Sequence, residues 1–198
     1  MIKLFKEIPI VTRSIISISI LLYLVNVVFY LGGISINDYL GLWQFSHENF
    51  RIYQILSFTF SHDIYPEHII YNICLLLIFS VQSEMILKKD FLKLILFTVI
   101  SGIAGLQFFD QNLNHIGISI IGLSVITYFI LAKNSLPNLI SAPLKMLGLL
   151  FIFGEFILFL SGYKNNIIDS TFCSAYSHML GVLSGSIFYI YIKLKKRA

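Results

Sequence analysis

Charge is what this chain lacks most: Lys, Arg, Asp and Glu together make up 12% of its 198 residues, against 57% hydrophobic, and the mean hydropathy is +0.84. One soluble core cannot hide that much apolar surface, which excludes an ordinary soluble globular domain. Cysteine is scarce as well. Cys74 and Cys173 both fall inside apolar runs, where a thiol serves as a small apolar side chain, so no redox pair, metal site or cofactor is implied. No A-x-A-like cleavage site follows the first apolar run, so that run reads as a retained helix and not as a secretory leader. No connection is long enough for a separate soluble domain, and no repeat or low-complexity tract is visible.

What the chain does have is apolar runs. Crossing about 30 Å of hydrocarbon takes roughly 20 residues of helix, and six charge-poor runs of about that length occur, near 12–32, 67–87, 91–109, 115–132, 143–161 and 173–192. Lys3, Lys6, Arg13, Lys88, Lys89, Lys93, Lys133, Lys145, Lys193, Lys195, Lys196 and Arg197 all fall on one side of that map, with only Arg51 and Lys164 on the other. The positive-inside rule makes the crowded side the cytoplasm. The expected fold is an all-α polytopic membrane protein, one domain over 1–198, with six transmembrane helices and both termini cytoplasmic. Loop 33–66 then lies outside. The net charge of +4 is accounted for by this topology and calls for no nucleic acid. The expected location is a multi-pass protein of the bacterial inner (plasma) membrane.

Polar side chains in hydrocarbon cost a few kcal/mol unless paired or wetted, so they are functional candidates. In the second run His68 and Asn72 are four apart and share a helix face, as do Ser124 and Tyr128 in the fourth run. The sixth run carries His178 followed by Gly181 and Gly185, a stripe of small residues suited to close helix packing. Asn72 and His178 each lie about 8 Å below the outer end of their run at ~1.5 Å per residue. Ser124 comes to similar depth if Asn114 to Ile121, which includes Gly117, is partly non-helical and the helix begins near Gly122. Such backbone is tolerated at that depth only when buried or facing water.

A serine hydroxyl becomes a nucleophile when a neighbouring base takes its proton, and His178 is the base that close packing at Gly181 and Gly185 would bring to Ser124. Asn72, His68 and the Ser124 backbone N–H would supply donors to an oxyanion. Glu155 lies on the fifth run, but nothing in the sequence places it beside His178, so a dyad is expected. Ser119 also follows a Gly-x and is the alternative nucleophile. Taken singly, each residue has a plainer reading: a membrane serine commonly bonds the carbonyl four residues back, and a membrane histidine often joins two helices.

Taken in order, His68-x-x-x-Asn72, Gly122-x-Ser124 with Tyr128, and His178-x-x-Gly181-x-x-x-Gly185 resemble the rhomboid proteases across residues 53–190. The resemblance implies Ser124 as nucleophile, His178 as general base stacked on Tyr128, and His68 with Asn72 as oxyanion donors. It implies an intramembrane serine endopeptidase acting, within the lipid bilayer, on transmembrane-protein substrates whose helix unwinds easily at the cut. Val125 stands where the family usually has glycine, Tyr53-Gln54 where it has Trp-Arg, and His62 is one residue farther from His68 than usual. The alternatives are an inactive rhomboid-like protein that binds membrane helices, a rhomboid-like sorting enzyme that passes the acyl group to an amine, and a small transporter. Oligomeric state and substrate identity have no sequence signal.

Overall fold

The computed structural model describes residues 7–108, 114–133, 136–164 and 170–197. Lys3 and Lys6 lie outside the described residues, as does the whole of 165–169 before α9.

Helix α1 (Ile10–Leu31) begins after Pro9, has no acidic residue in its first turn and finds no cap among its own side chains. Its orphan donors are satisfied from elsewhere. Glu84 accepts the Val11 N–H at 2.9 Å, the Thr12 N–H at 2.7 Å and the Thr12 hydroxyl at 2.7 Å, placing a carboxylate at the positive end of the helix dipole. The outer loop that follows contains two single-turn helices, α2 (Asn37–Leu40) and α3 (Gln54–Ser57). Gln54, wholly buried, ties this loop together: its amide donates to the Tyr39 and Asn49 carbonyls and its oxygen accepts the Arg51 N–H.

Pro66 opens α4 (Pro66–Leu75), where its missing N–H costs nothing. The helix passes through a π-helical turn at Leu76–Ser80 into α5 (Val81–Leu87). The chain then reverses through a short 3-10 turn, with Lys88 at φ 53, into α6 (Phe91–Leu106). Helices α7 (Ser119–Leu131), α8 (Asn138–Lys164) and α9 (Ser170–Lys195) complete the order. Each of the six expected apolar runs therefore carries a helix, and the described residues form no strand beyond one antiparallel bridge between Leu42 and His115. Ile10–Leu31, Pro66–Leu106 and Asn138–Lys164 are long and apolar enough to cross a membrane, and Ser119–Leu131 is a shorter apolar helix.

Helix α7 is the axis of the molecule. Every residue from Ser119 to Phe129 is buried, as expected of a helix apolar all round, and α4, α5, α6, α8 and α9 pack about it. Helix α9 lies closest because it presents glycine. A Cβ on Gly181 would collide with the Ile120 carbonyl, and one on Gly185 with the Ser124 carbonyl. Helix α8 is peripheral. Its buried residues are Ser141 and Gly148, and it turns Leu149, Leu150, Phe153 and Phe156 outward.

Candidate active site

The backbone that delivers the site is the short stretch 114–118 ahead of α7. It is held by the outer loop: Leu42 and His115 exchange backbone hydrogen bonds of 2.8 and 2.9 Å, the Gly117 N–H donates to the Phe58 carbonyl at 2.9 Å, and the Asn114 amide donates to the Asn37 carbonyl. Gly117 sits at φ +113, a region that side-chain-bearing residues rarely adopt. The expected non-helical entry is therefore present, but α7 begins at Ser119, three residues earlier than expected. Its first intrahelical bond runs from the Gly122 N–H to the Ile118 carbonyl. The N–H groups of Ser119, Ile120 and Ile121 precede that bond and have no partner within the helix.

Gly181 against Ile120 and Gly185 against Ser124 set the register of α9 on α7. His178 lies seven residues before Gly185, so it stands about 10 Å above the level of Ser124 at ~1.5 Å per residue. It lies one turn above Gly181, which brings it to the level of Ser119 and Gly117. The expected meeting of Ser124 with His178 is not what this packing produces. Ser124 is fully buried, and its hydroxyl is 2.7 Å from that of Thr98 on α6. Thr98 spends its one proton on the Leu94 carbonyl at 2.9 Å, so Ser124 donates to Thr98. Nor is Ser124 positioned as an oxyanion donor. Five residues into α7, its N–H belongs to the helix ladder.

Tyr128 is likewise at the other end of the helix. Its ring meets Phe188 at 6.4 Å and Tyr189 at 6.2 Å, edge-on, rather than stacking on His178. Gly122 is buried with nothing within 4 Å of where a Cβ would be, leaving a gap one turn below Ser119 on the same face.

At the upper level the remaining expected residues do converge. The His68 ring lies 3.4 Å, and the Ser119 hydroxyl 3.8 Å, from the position a Cβ on Gly117 would take. Asn72 is one turn below His68 and 2% exposed, and its amide nitrogen has no hydrogen-bond partner among the described residues. Above them opens a cavity of about 340 Å³ bordered by Asp63, His68, Gly117, Ile120 and Ser177. His178 makes no hydrogen bond to either serine, and its Nε2 is buried without a partner. Its Nδ1 lies 2.7 Å from a carboxylate oxygen of Glu155. The acid that nothing in the sequence placed beside the histidine is thus next to it. That oxygen sits off the ring N–H axis, so the two are in close contact without an aligned hydrogen bond.

His62, in the loop before α4, packs its ring edge-on to His68 at 5.3 Å, and burial pushes its pKa down to about 4. It is a neutral wall of the site. Its carbonyl accepts from the amides of Asn26 and Asn37, which ties α1 and the outer loop to the entrance of α4.

The model of the rhomboid domain matches residues 49–196. The chain belongs to the rhomboid family. That family consists largely of intramembrane serine proteases acting on membrane proteins, with inactive members among them, and it makes this chain an integral membrane protein. Neither the curated proteins nor the solved structures give a significant match to the chain.

Two features of this rhomboid site could not be settled from the sequence. Gly117-x-Ser119 and Gly122-x-Ser124 are the same short pattern five residues apart, and the choice between them depends on the helix register. Glu155 gave a signal as an acid in an apolar run, but the direction it faces could be read only from the packing.

Proposed function

We propose that this chain is a six-span intramembrane serine endopeptidase, with both termini cytoplasmic, whose nucleophile is Ser119 and whose general base is His178. The observation that carries the reading is the register of α9 on α7. The glycine contacts put His178 level with Ser119, at the free end of α7, while Ser124 lies deeper and gives its proton to Thr98.

In the reaction, His178 Nε2 takes the Ser119 hydroxyl proton as Oγ attacks the substrate carbonyl. The negative oxygen faces the free N–H groups at the start of α7, the unpartnered Asn72 amide and the His68 ring, donors fixed before charge develops. Collapse expels the amine, which leaves with the proton from His178. Water then gives a proton to His178 and its oxygen to the acyl group, and Ser119 recovers its proton as the acid departs. Gly117 keeps the space between Ser119 and His68 clear of side chain, and the cavity of about 340 Å³ above them is where water and the unwound substrate would enter. Rhomboid substrates are membrane proteins, and a helical span must unwind locally to offer its carbonyl.

A fluorophosphonate that reacts with activated serines tests the assignment on the detergent-solubilised protein. Labelling of wild type and of Ser124→Ala, with none in Ser119→Ala, is the expected result. Labelling lost in Ser124→Ala alone would return the nucleophile to the deeper serine. Cleavage of a transmembrane reporter in vesicles, with mass analysis of the new carboxyl end, then separates hydrolysis from transfer to an amine.

A second reading, an inactive rhomboid that holds membrane helices, is favoured by one observation: His178 has no hydrogen bond to Ser119 in this state. Catalytic hydrogen bonds often tighten only when substrate is bound. A folded wild type that resists labelling at every pH would select this second reading.

A further inference from the structure

Glu155 has no place in a two-residue mechanism, yet α8 carries it through an otherwise apolar stretch, where an unpaired acid costs several kcal/mol. It is four residues beyond Phe151, whose ring meets Tyr71 of α4 edge-on at 5.6 Å. Residues four apart share a helix face, so this face of α8 turns inward to α4 and α9. There the carboxylate is 2.7 Å from His178 Nδ1, with side chains 21% and 12% exposed. Among the described residues no aromatic ring contacts the imidazole, Tyr128 being engaged with Phe188 and Tyr189.

We propose that Glu155 is a positioning residue completing a Ser119–His178–Glu155 triad, holding the imidazole with its proton on Nδ1 and its lone pair on Nε2. The inference rests on the assignment of Ser119 and His178 above. A neutral imidazole carries one N–H, and which nitrogen bears it is set by the group facing the other. A carboxylate only accepts, so beside Nδ1 it keeps the proton there and leaves Nε2, which has no partner, to receive the Ser119 proton. Glu155 takes no proton in the reaction. It accepts a hydrogen bond and balances the imidazolium until that proton passes to the leaving amine.

The test uses the full chain in detergent: wild type, Ser119→Ala, Glu155→Gln and Glu155→Asp. Two quantities are read, the rate of fluorophosphonate labelling and the ¹⁵N NMR tautomer signature of His178, assigned by its loss in His178→Asn. Glutamine has the same shape without charge, and its NH₂ can donate to Nδ1, which favours the wrong tautomer. Glu155→Gln is expected to move His178 toward the Nε2–H form and to slow labelling at least about tenfold. Glu155→Asp, retaining the carboxylate, keeps the Nδ1–H form and recovers part of the rate.

Labelling of Glu155→Gln at the wild-type rate would overturn the triad. So would slower labelling with an unchanged tautomer, since the acid would then act through packing alone. If Ser119→Ala still labels, the nucleophile assignment fails instead, and the tautomer comparison reports separately whether the acid orients the histidine.

Discussion

Ser124 and Thr98 share one hydrogen bond of 2.7 Å between α7 and α6, with both side chains wholly buried. The bond fastens two helices and engages the Ser124 proton. Ser124→Ala leaves Thr98 bonded to the Leu94 carbonyl. The cost is then one neutral hydrogen bond, about 1 kcal/mol. Thermal unfolding in detergent should show a small drop, with labelling of Ser119 unchanged.

The glycines of α9 should respond far more strongly. A Cβ at Gly181 or Gly185 meets a backbone carbonyl of α7, and backbone cannot rotate aside. Gly181→Ala and Gly185→Ala are each expected to cost about 1–3 kcal/mol through overpacking. Gly181→Ala should also slow labelling more than Gly185→Ala, because it displaces the turn that carries His178. Labelling rates corrected for the folded fraction measure that difference.

At Gly117 the backbone opposes alanine. The φ of +113 is strained for any L side chain, and the added methyl lies against the His68 ring. The backbone strain alone is worth about 1–3 kcal/mol. Labelling should fall further than stability, and a Gly117→Ala protein that labels normally would remove Gly117 and His68 from the site.

Glu84→Gln replaces a charged acceptor of three hydrogen bonds with an amide that has one oxygen and an NH₂ facing donors. Hydrogen bonds to a charged group contribute about 1.5–3 kcal/mol each, so a loss of about 2–3 kcal/mol is expected. Hydrogen exchange should show the first turn of α1 opening before the rest of the helix.

Burial holds the His62 pKa near about 4, below the ordinary 6.5, so the folded state keeps it neutral where the unfolded chain protonates it. The unfolded state then binds more protons between these values, and stability falls as pH drops from 6.5 toward 4. The slope for one such group reaches about 1.4 kcal/mol per pH unit. Unfolding followed over this range should be less steep in His62→Gln than in wild type.

The helices were legible because apolar runs bounded by lysine are a composition signal that survives without knowledge of packing. Each expected run contains a helix, and the non-helical approach to α7 was anticipated from Gly117 and from the depth of Asn72. The choice of serine was not legible. Ser119 and Ser124 sit in identical Gly-x-Ser contexts, and what separates them is where α7 begins. That point is fixed by bonds from Leu42, Phe58 and Asn37 to residues 114–117, contacts spanning more than half of the outer loop. Tyr128, four residues after Ser124, pointed toward the deeper serine, yet its ring belongs to the packing of the lower end of α9. Glu155 was ambiguous for a related reason: a helix apolar on every side gives no indication of which face is turned inward.

The π-helical turn at Leu76–Ser80 fits one more residue into its turn than an α-helix would. Above it, His68 and Asn72 look toward α7; below it, Glu84 looks toward the start of α1. Winding this turn as ordinary α-helix with all of its residues kept would rotate one half against the other by about 100°. Either Asn72 would swing away from Ser119 or Glu84 from Thr12. The wide turn thus absorbs its extra residue locally: a chain one residue shorter here, wound as plain α-helix, would keep both faces, whereas one of the same length without the widening would lose one of them.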